Sequence, residues 1–368
     1  MTIFIFSALL IFTNTIQAFL PKFLKSSESF GVFIPDTQVH DERIARLEKG
    51  YTQMLLMGGN ALILVFLFWA LLTNPKEEHT VYTGLALLFF LLFTSMALYA
   101  RNHVTLIKLK NTEQWGAGQK ERKVVDLKFR EQLKLLPNIY FIVPILLNIG
   151  LWIYALSQYD SLPSQIPTHW GPNGEADAFA EKSWLSVSAL PLMVLIIQGM
   201  LLFFNSAMKQ SGAKIQVRHK KRSRQQQLAF RKYSSWLLFL VQITVTLLMG
   251  YFQLTIIHED LISSSYTMLA TLAFVLIILG AVMFYTIKIG QSGTRIEVHE
   301  EDVSQDGVMD IDDDRHWKFG LIYVNKEDPS LMVEKRFGVG WTMNFGHVGS
   351  WIFLVILIGS IVLVSLIL

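Results

Sequence analysis

Three short polar runs each set a histidine beside acids. "KEEHT" supplies Glu77, Glu78 and His79, "HWGPNGEAD" supplies His169, Glu175 and Asp177, and "HED" supplies His258, Glu259 and Asp260. Imidazole nitrogens and carboxylate oxygens are donors that a borderline cation such as zinc accepts. His79, His169 and His258 would therefore form a composite metal site if the runs met. Their spacing matches no named metal motif, and the plainer reading is three polar connectors. The middle run also suits recognition: His169, Trp170, Asn173, Glu175 and Asp177 offer an aromatic ring and polar groups to a peptide. "DIDDD" sets Asp310, Asp312 and Asp314 at alternate positions, as in an EF-hand loop. However, Arg315 stands where that loop needs glycine and Leu321 where it needs glutamate, so a calcium loop of this kind is excluded. The chain has no cysteine, which removes disulfides, thiolate metal sites and thiol nucleophiles. It also lacks GxSxG, HExxH and nucleotide-binding glycine motifs. The reading is non-enzymatic, with no cofactor expected.

Apolar segments must position these runs. The chain of 368 residues is 52% hydrophobic and 17% charged, against roughly 25% charged for soluble domains. Eight segments reach the roughly 20 apolar residues that a spanning helix needs: 2–20, 52–73, 81–100, 137–157, 184–205, 234–257, 265–287 and 349–368. The first ends in "TIQA", a small-residue pattern like a cleavage site, but no basic leader precedes it, so a retained span is expected. The fold class expected is an all-α integral membrane protein of about eight transmembrane helices. A small cytoplasmic α+β module, 288–348, precedes the last span.

Charge sets the expected orientation, because cytoplasmic loops carry excess Lys and Arg. Segments 21–50, 101–136 and 206–233 hold five, nine and nine such residues, while 74–80, 158–183 and 258–264 hold one, one and none. Both termini and the loop 158–183 are thus expected outside. Trp69, Tyr82, Trp152 and Trp184 fall near outer helix ends, and Tyr51, Trp236 and Trp351 near inner ones, as interfacial aromatics do. Pro163, Pro167 and Pro172 forbid a continuous helix in loop 158–183, and Asn173-Gly174 signals a tight turn. The organisation expected is an N-terminal three-span region (1–136), a two-span unit around the loop (137–205), a basic inner loop with two spans (206–287), the module and the last span (349–368).

On the inner face His219, Lys220, Lys221, Arg222 and Arg224 form a basic patch expected to meet anionic lipid, at about 1 kcal/mol per basic group. The segment 296–314 holds nine acids and no Lys or Arg, and reads as solvated. The sharper alternative is that acidic and basic segments dock on each other, or hold a cytoplasmic regulator. A loop tied to the bilayer with no nucleic-acid-binding fold gives no reason to expect nucleic acid. Within the module, "TRIEVHEEDV" and "HWKFGLIYVNKEDP" read as strands, and "SLMVEKRFGVGWTMNFGH" as an amphipathic helix at the membrane surface. The spans themselves carry only neutral candidates: Asn14, Gln17, Asn60, Asn148, Gln198 and Gln242, with kinking prolines at 144 and 191. Interhelical hydrogen bonds account for such amides, and the absence of charge argues against a proton-coupled transporter.

"LPSQIPTHWGPNGEADAFAEKSW" resembles the external loop of SdpI-like bacterial membrane proteins through Pro167, His169, Trp170, Gly174, Asp177 and Lys182. A C-terminal module of uncharacterised proteins carrying that loop is similar at Trp317, Gly320, Tyr323, Asn325, Asp328, Pro329, Arg336, Gly338, Gly340, Trp341, Asn344 and Gly346. "FGVFIP" at 30–35 resembles the segment after the first helix in such proteins. The resemblance implies a bacterial cell-membrane protein with an immunity or signal-receiving role. An extracellular peptide would be its ligand and a cytoplasmic regulator its partner. A small-solute permease is the alternative from another class, and a membrane enzyme with an external metal site a third.

Overall fold

The computed structural model describes residues 2–124, 126, 128–171, 174–258, 263–299 and 307–367, with side chains to 362. Helix α1 (Thr2–Phe19) is followed by the short strands β1 (Glu28–Ser29) and β2 (Val32–Phe33). Helix α2 (Glu42–Met54) continues through one π-helical turn, Leu55–Gly59, into α3 (Asn60–Thr73). Then come α4 (Glu77–Thr112), β3 (Lys120–Arg122) and α5 (Asn138–Ser157). The hairpin β4 (Gln165–Trp170) and β5 (Ala176–Glu181) leads into α6 (Trp184–Gln210), α7 (Lys220–Ile257) and α8 (Ser264–Lys288). Five short strands follow: β6 (Val308–Asp310), β7 (Trp317–Lys318), β8 (Ile322–Tyr323), β9 (Met332–Glu334) and β10 (Trp341–Met343). Helix α9 (Val348–Ile367) comes last.

Seven helices among the described residues are long and apolar enough to cross a membrane, the α2–α3 rod counting as one. The eighth expected segment is a shorter apolar helix, Val348–Val362. Only 6% of the apolar window of α8 is buried within the protein, and Leu269, Leu276, Ile277 and Phe284 face outward from it. A surface so apolar is at rest in hydrocarbon rather than water. Two helices outrun their apolar segments. Helix α4 continues about 18 Å past residue 100 at roughly 1.5 Å per residue, and α7 starts within the basic run at Lys220. Lys, Arg and Gln are good helix formers, so basic sequence extends a helix as readily as it makes a loop. Helix α3 stops where Asn74 turns left-handed (φ 41°) ahead of Pro75.

Helices α5, α6 and α7 pack together, with α8 against α7 and α9 against α6. Helix α1 lies on α3 and α4 around Leu10, Ile63, Phe66 and Leu91. Pro144 and Pro191 sit inside α5 and α6, where a missing N–H leaves backbone carbonyls short of donors. Amides from neighbouring helices donate to other carbonyls, at or close to these prolines, and tie the helices together. Asn148 donates to Pro191 O at 3.0 Å, Gln198 to Pro144 O at 2.9 Å, and Gln242 to Phe141 O at 2.8 Å. Asn14 does similar work in the first group, donating to Leu55 O at the π turn and to Asn60, each at 3.1 Å.

Between α8 and α9 the structure departs from expectation. Among the described residues this stretch contains no α-helix. Its strands form short pairs: β6 parallel to β3, β7 antiparallel to β8, and β9 antiparallel to β10. The run expected to be an amphipathic helix, 330–347, is instead the β9–β10 hairpin. Gly338 and Gly340 carry φ values of 96° and 116°, outside helical space. Gln291 then bridges the two arms, donating to Lys335 O at 2.7 Å and accepting from Gly340 N at 2.7 Å. The strand expected over 294–303 is not formed at 294–299, and 300–303 lie outside the described residues.

Candidate functional site

Both ends of the helical bundle carry polar constructions, and they differ in kind. At one end stands the β4–β5 hairpin. Ile166 on β4 is buried with Ala155, Leu162, Val187 and Ile256, which anchors the strand to α5, α6 and α7. The register slips on either side of His169, an irregularity that re-aims side chains. The Trp170 ring lies on the Phe252 ring of α7, centroids 4.5 Å apart and planes 8° apart. Gly174 turns at φ 80°, and a Cβ there would stand 2.2 Å from Ser264 O. Only glycine lets the turn seat against the first turn of α8. Lys182 donates to Tyr159 O at 3.1 Å and Leu162 O at 3.0 Å, tying the hairpin's exit to its entry. Tyr159 in turn stacks on Trp184 at 4.0 Å.

On this frame His169 Nδ1 pairs with Asp177 across the strands. Their side chains stay 67% and 53% exposed, so the pair is available to a ligand. Glu175 lies exposed beside the turn, and Asn173 lies outside the described residues. The three histidines do not gather. His258 Nε2 bonds the Tyr154 hydroxyl at 2.8 Å, His169 is held by Asp177, and His79 sits at the start of α4. Among the described residues no three His, Asp or Glu side chains form a group able to hold a metal ion. Glu259 and Asp260 lie outside those residues.

The opposite end is a layer of buried charge. Arg231, near the start of α7, is 0% exposed. It donates to Met208 O at 2.6 Å, Ser211 Oγ at 2.8 Å and Gly212 O at 2.8 Å, satisfying carbonyls at the end of α6 that lack helical partners. Its guanidinium also lies over the rings of Phe129, at 5.2 Å, and Trp341, at 4.9 Å. Glu334 on β9 accepts from Lys25 at 3.0 Å, from Gln227 at 2.9 Å and from Ser292, and Arg231 stands 3.9 Å from it. Burial pushes the Glu334 carboxyl up, but Lys25, Arg231 and the hydrogen bonds outweigh it and hold the pKa at about 2. Burial lowers the Lys25 ammonium, and Glu334 with Glu28 and Asp313 more than reverses this, so its pKa is raised.

A second cluster adjoins the first. Arg336, 1% exposed, pairs with Asp313 and Asp314, donates to Gly31 O at 2.9 Å and covers the Trp317 ring at 5.3 Å. Lys110 reaches Asp312 at 2.5 Å and Asp314 at 2.6 Å, and Lys214 reaches Asp313 at 2.8 Å. Burial raises the Asp313 pKa, but Lys214 and Arg336 pull it below the usual carboxylate range. The aspartates at 310, 312, 313 and 314 are therefore partly withdrawn from solvent, while Ile311 stays exposed. Asp312, Asp313 and Asp314 dock on Lys110, Arg336 and Lys214, and Asp310 accepts from Val217 N at 2.8 Å. Lys214 and Val217 belong to the basic segment 206–233, so the acidic and basic segments do meet, at positions ahead of the basic patch 219–224. Within that patch Arg224 pairs with Asp126 at 2.6 Å, His219 O accepts from Ser223 at 2.7 Å, and Lys220, Lys221 and Arg222 lie exposed at the start of α7. Lys25, Arg231 and Glu334 carried no motif that would single them out. Arg336 was marked only by the resemblance of the C-terminal segment.

Residues 146–195 match DUF1648, a domain of unknown function, a stretch that takes in most of α5, the whole hairpin and the start of α6. Residues 326–351 match DUF5808, a family of unknown function, and these include β9, β10, Glu334 and Arg336. An uncharacterized protein of Archaeoglobus fulgidus is 40% identical over 52 residues, which is 13% of this chain and 28% of that relative. The match thus spans less than a third of the relative's length. No solved structure matches this chain.

Proposed function

We propose that this chain is a non-enzymatic, multi-pass protein of a bacterial cell membrane, SdpI-like in kind, that serves immunity against or reception of an extracellular peptide. The hairpin faces outside and offers His169, Trp170, Glu175 and Asp177 to the peptide. The charged layer faces inside and presents the surface a cytoplasmic regulator reads. In this arrangement Val348–Ile367 is an eighth span, and both termini lie outside, consistent with the concentration of Lys and Arg at the charged end.

One observation carries the reading. Helix α7 is a single helix of 38 residues, about 57 Å long at roughly 1.5 Å per residue. Near one end its Phe252 holds Trp170, and near the other its Arg231 and Gln227 meet β9 and the end of α6. A rigid rod that touches both sites can bias one when a ligand shifts the other, provided the ligand distinguishes the two positions of the rod.

A gene deletion scored against a panel of secreted peptides tests this. The deletion strain should become sensitive to at least one peptide, and wild-type protein should restore resistance while Trp170→Ala restores little of it at equal abundance. Equal sensitivity of deletion and parent across the panel, with no transcriptional response to any peptide, defeats the proposal. A permease is the second reading, favoured by the buried amides Asn148, Gln198 and Gln242 between proline-containing helices. Their donors, however, are already engaged with carbonyls, which leaves them acting as fasteners.

A further inference from the structure

At the charged end the helices α6, α7 and α8 leave a cavity of about 530 Å³. Helix α7 makes its floor, with Leu238, while Phe204 and Met208 of α6 form one wall and Val282 of α8 the other. The β9–β10 hairpin closes its end with Met343 and Lys335. The volume lies within the roughly 300–1,000 Å³ of small-molecule sites, and the lining is mainly apolar. Three of its polar groups are engaged with one another: Ser234 and Tyr285 bond each other at 2.5 Å, and the Trp341 indole donates to Ser234 at 3.3 Å.

Lys335 is the exception. Its neighbours in sequence, Glu334 and Arg336, are both neutralised by opposite charges, yet among the described residues no carboxylate pairs with Lys335. Burial alone acts on its ammonium, lowering its pKa. A half-buried cation without a counter-charge, in the lining of an apolar cleft, is an incomplete ion pair. The cleft also lies where the apolar stretches of α6, α7 and α8 give way to polar sequence, the depth at which a bilayer changes from acyl chain to headgroup.

We propose that this cleft binds one anionic phospholipid, an acyl chain lying between α6 and α8 over α7 and the phosphate meeting Lys335. This differs from general attraction of lipid to the basic segment at 219–224, which acts through headgroup charge and selects no chain. It is also independent of the peptide-receiving proposal, since lipid retention and peptide resistance are measured separately and either can fail alone.

The full-length protein is reconstituted in mixed phosphatidylcholine and phosphatidylglycerol vesicles, extracted in mild detergent and weighed by native mass spectrometry. Wild type should retain one phosphatidylglycerol per chain. Lys335→Gln should reduce the preference for phosphatidylglycerol over phosphatidylcholine about fivefold, the weight of one basic group at a membrane surface. Val282→Trp, which fills the cleft, should abolish retention of either lipid. Lys220→Gln, in the exposed basic segment, should leave the retained lipid unchanged. Lipid held in no fixed ratio, or the same retention and preference in Lys335→Gln as in wild type, shows surrounding lipid only and overturns the proposal. A lipid-free protein that runs as a dimer also overturns it, by giving the cleft to a second copy.

Discussion

The hairpin end and the charged end are both polar caps on one apolar bundle, but they are fastened by opposite means. The hairpin holds through stacked rings, one buried isoleucine, a glycine contact and the Lys182 hydrogen bonds to backbone, with its ion pair left in the open. The charged end buries Arg231, Arg336 and Glu334 and gives each several charged or polar partners. Among the described residues, only Arg231 Nε, Arg336 Nε and Glu334 Oε1 of their polar atoms are left without a hydrogen bond. Buried charge is costly unless fully paired, and once paired it is costly to disturb. The difference separates a region free to move from one that cannot shift without large loss. A receptor needs both, a yielding surface for the ligand and a stiff one whose displacement means something.

Breaking the stiff end should give the largest effect. Glu334→Gln leaves Lys25 and Arg231 buried without their counter-charge, and removal of one partner from such a pair costs about 3–5 kcal/mol. A fall of that size in stability, followed by thermal unfolding in detergent, is expected; an unchanged midpoint would show the layer to be ornamental. Acid should act on the same groups. The carboxyls of Glu334 and Asp313 titrate lower folded than unfolded, so their stabilisation is full above the ordinary carboxylate pKa, near 4.3 for Glu. It is lost as pH falls from about 5 toward 2. The midpoint should drop across that window, and the drop should be shallower in Glu334→Gln.

The yielding end should fail locally. Gly174→Ala strains a left-handed turn, about 1–3 kcal/mol, and drives a methyl into the start of α8. Hydrogen exchange should rise over 165–181 while the global midpoint stays near wild type. A global loss equal to that of Glu334→Gln would erase the distinction between the ends. Smallest of all is Asp177→Asn, which removes an exposed pairing worth at most about 1 kcal/mol. The midpoint should not move measurably, so any change in peptide resistance in this variant reports recognition and not folding.

Much of this frame was legible in the residues. Runs of about 20 apolar side chains admit few alternatives to a spanning helix, and the prolines with Asn173-Gly174 announced a turn where the β4–β5 hairpin stands. The amides at 14, 148, 198 and 242 do join helices. The misreadings share a cause. Basic stretches 101–112 and 220–233 looked like loops because charge marks solvent and not backbone shape, yet both are helical. Residues 330–347 set one charged run, Glu334 to Arg336, among apolar groups, a pattern that suits helix and hairpin alike, and Gly338 and Gly340 decided between them. The ion pairs were invisible for another reason. Lys25 and Glu334 are 309 positions apart, and no local pattern records a partner at that range.

That same separation sets a timetable for biogenesis. Lys25 leaves the ribosome long before Glu334 does, at roughly 5–20 residues per second. The segment after α1 therefore waits about 15 to 60 seconds, with its lysine unanswered, while the remaining helices are made and inserted. Until then Gly31 O lacks Arg336 and Phe33 N lacks Asp314. The clasp that closes the charged end is thus a late event, made when the start of the chain meets nearly its end. A nascent chain stopped before Glu334 would carry an inserted bundle with an open seam, a form that quality-control proteases can distinguish from the finished protein.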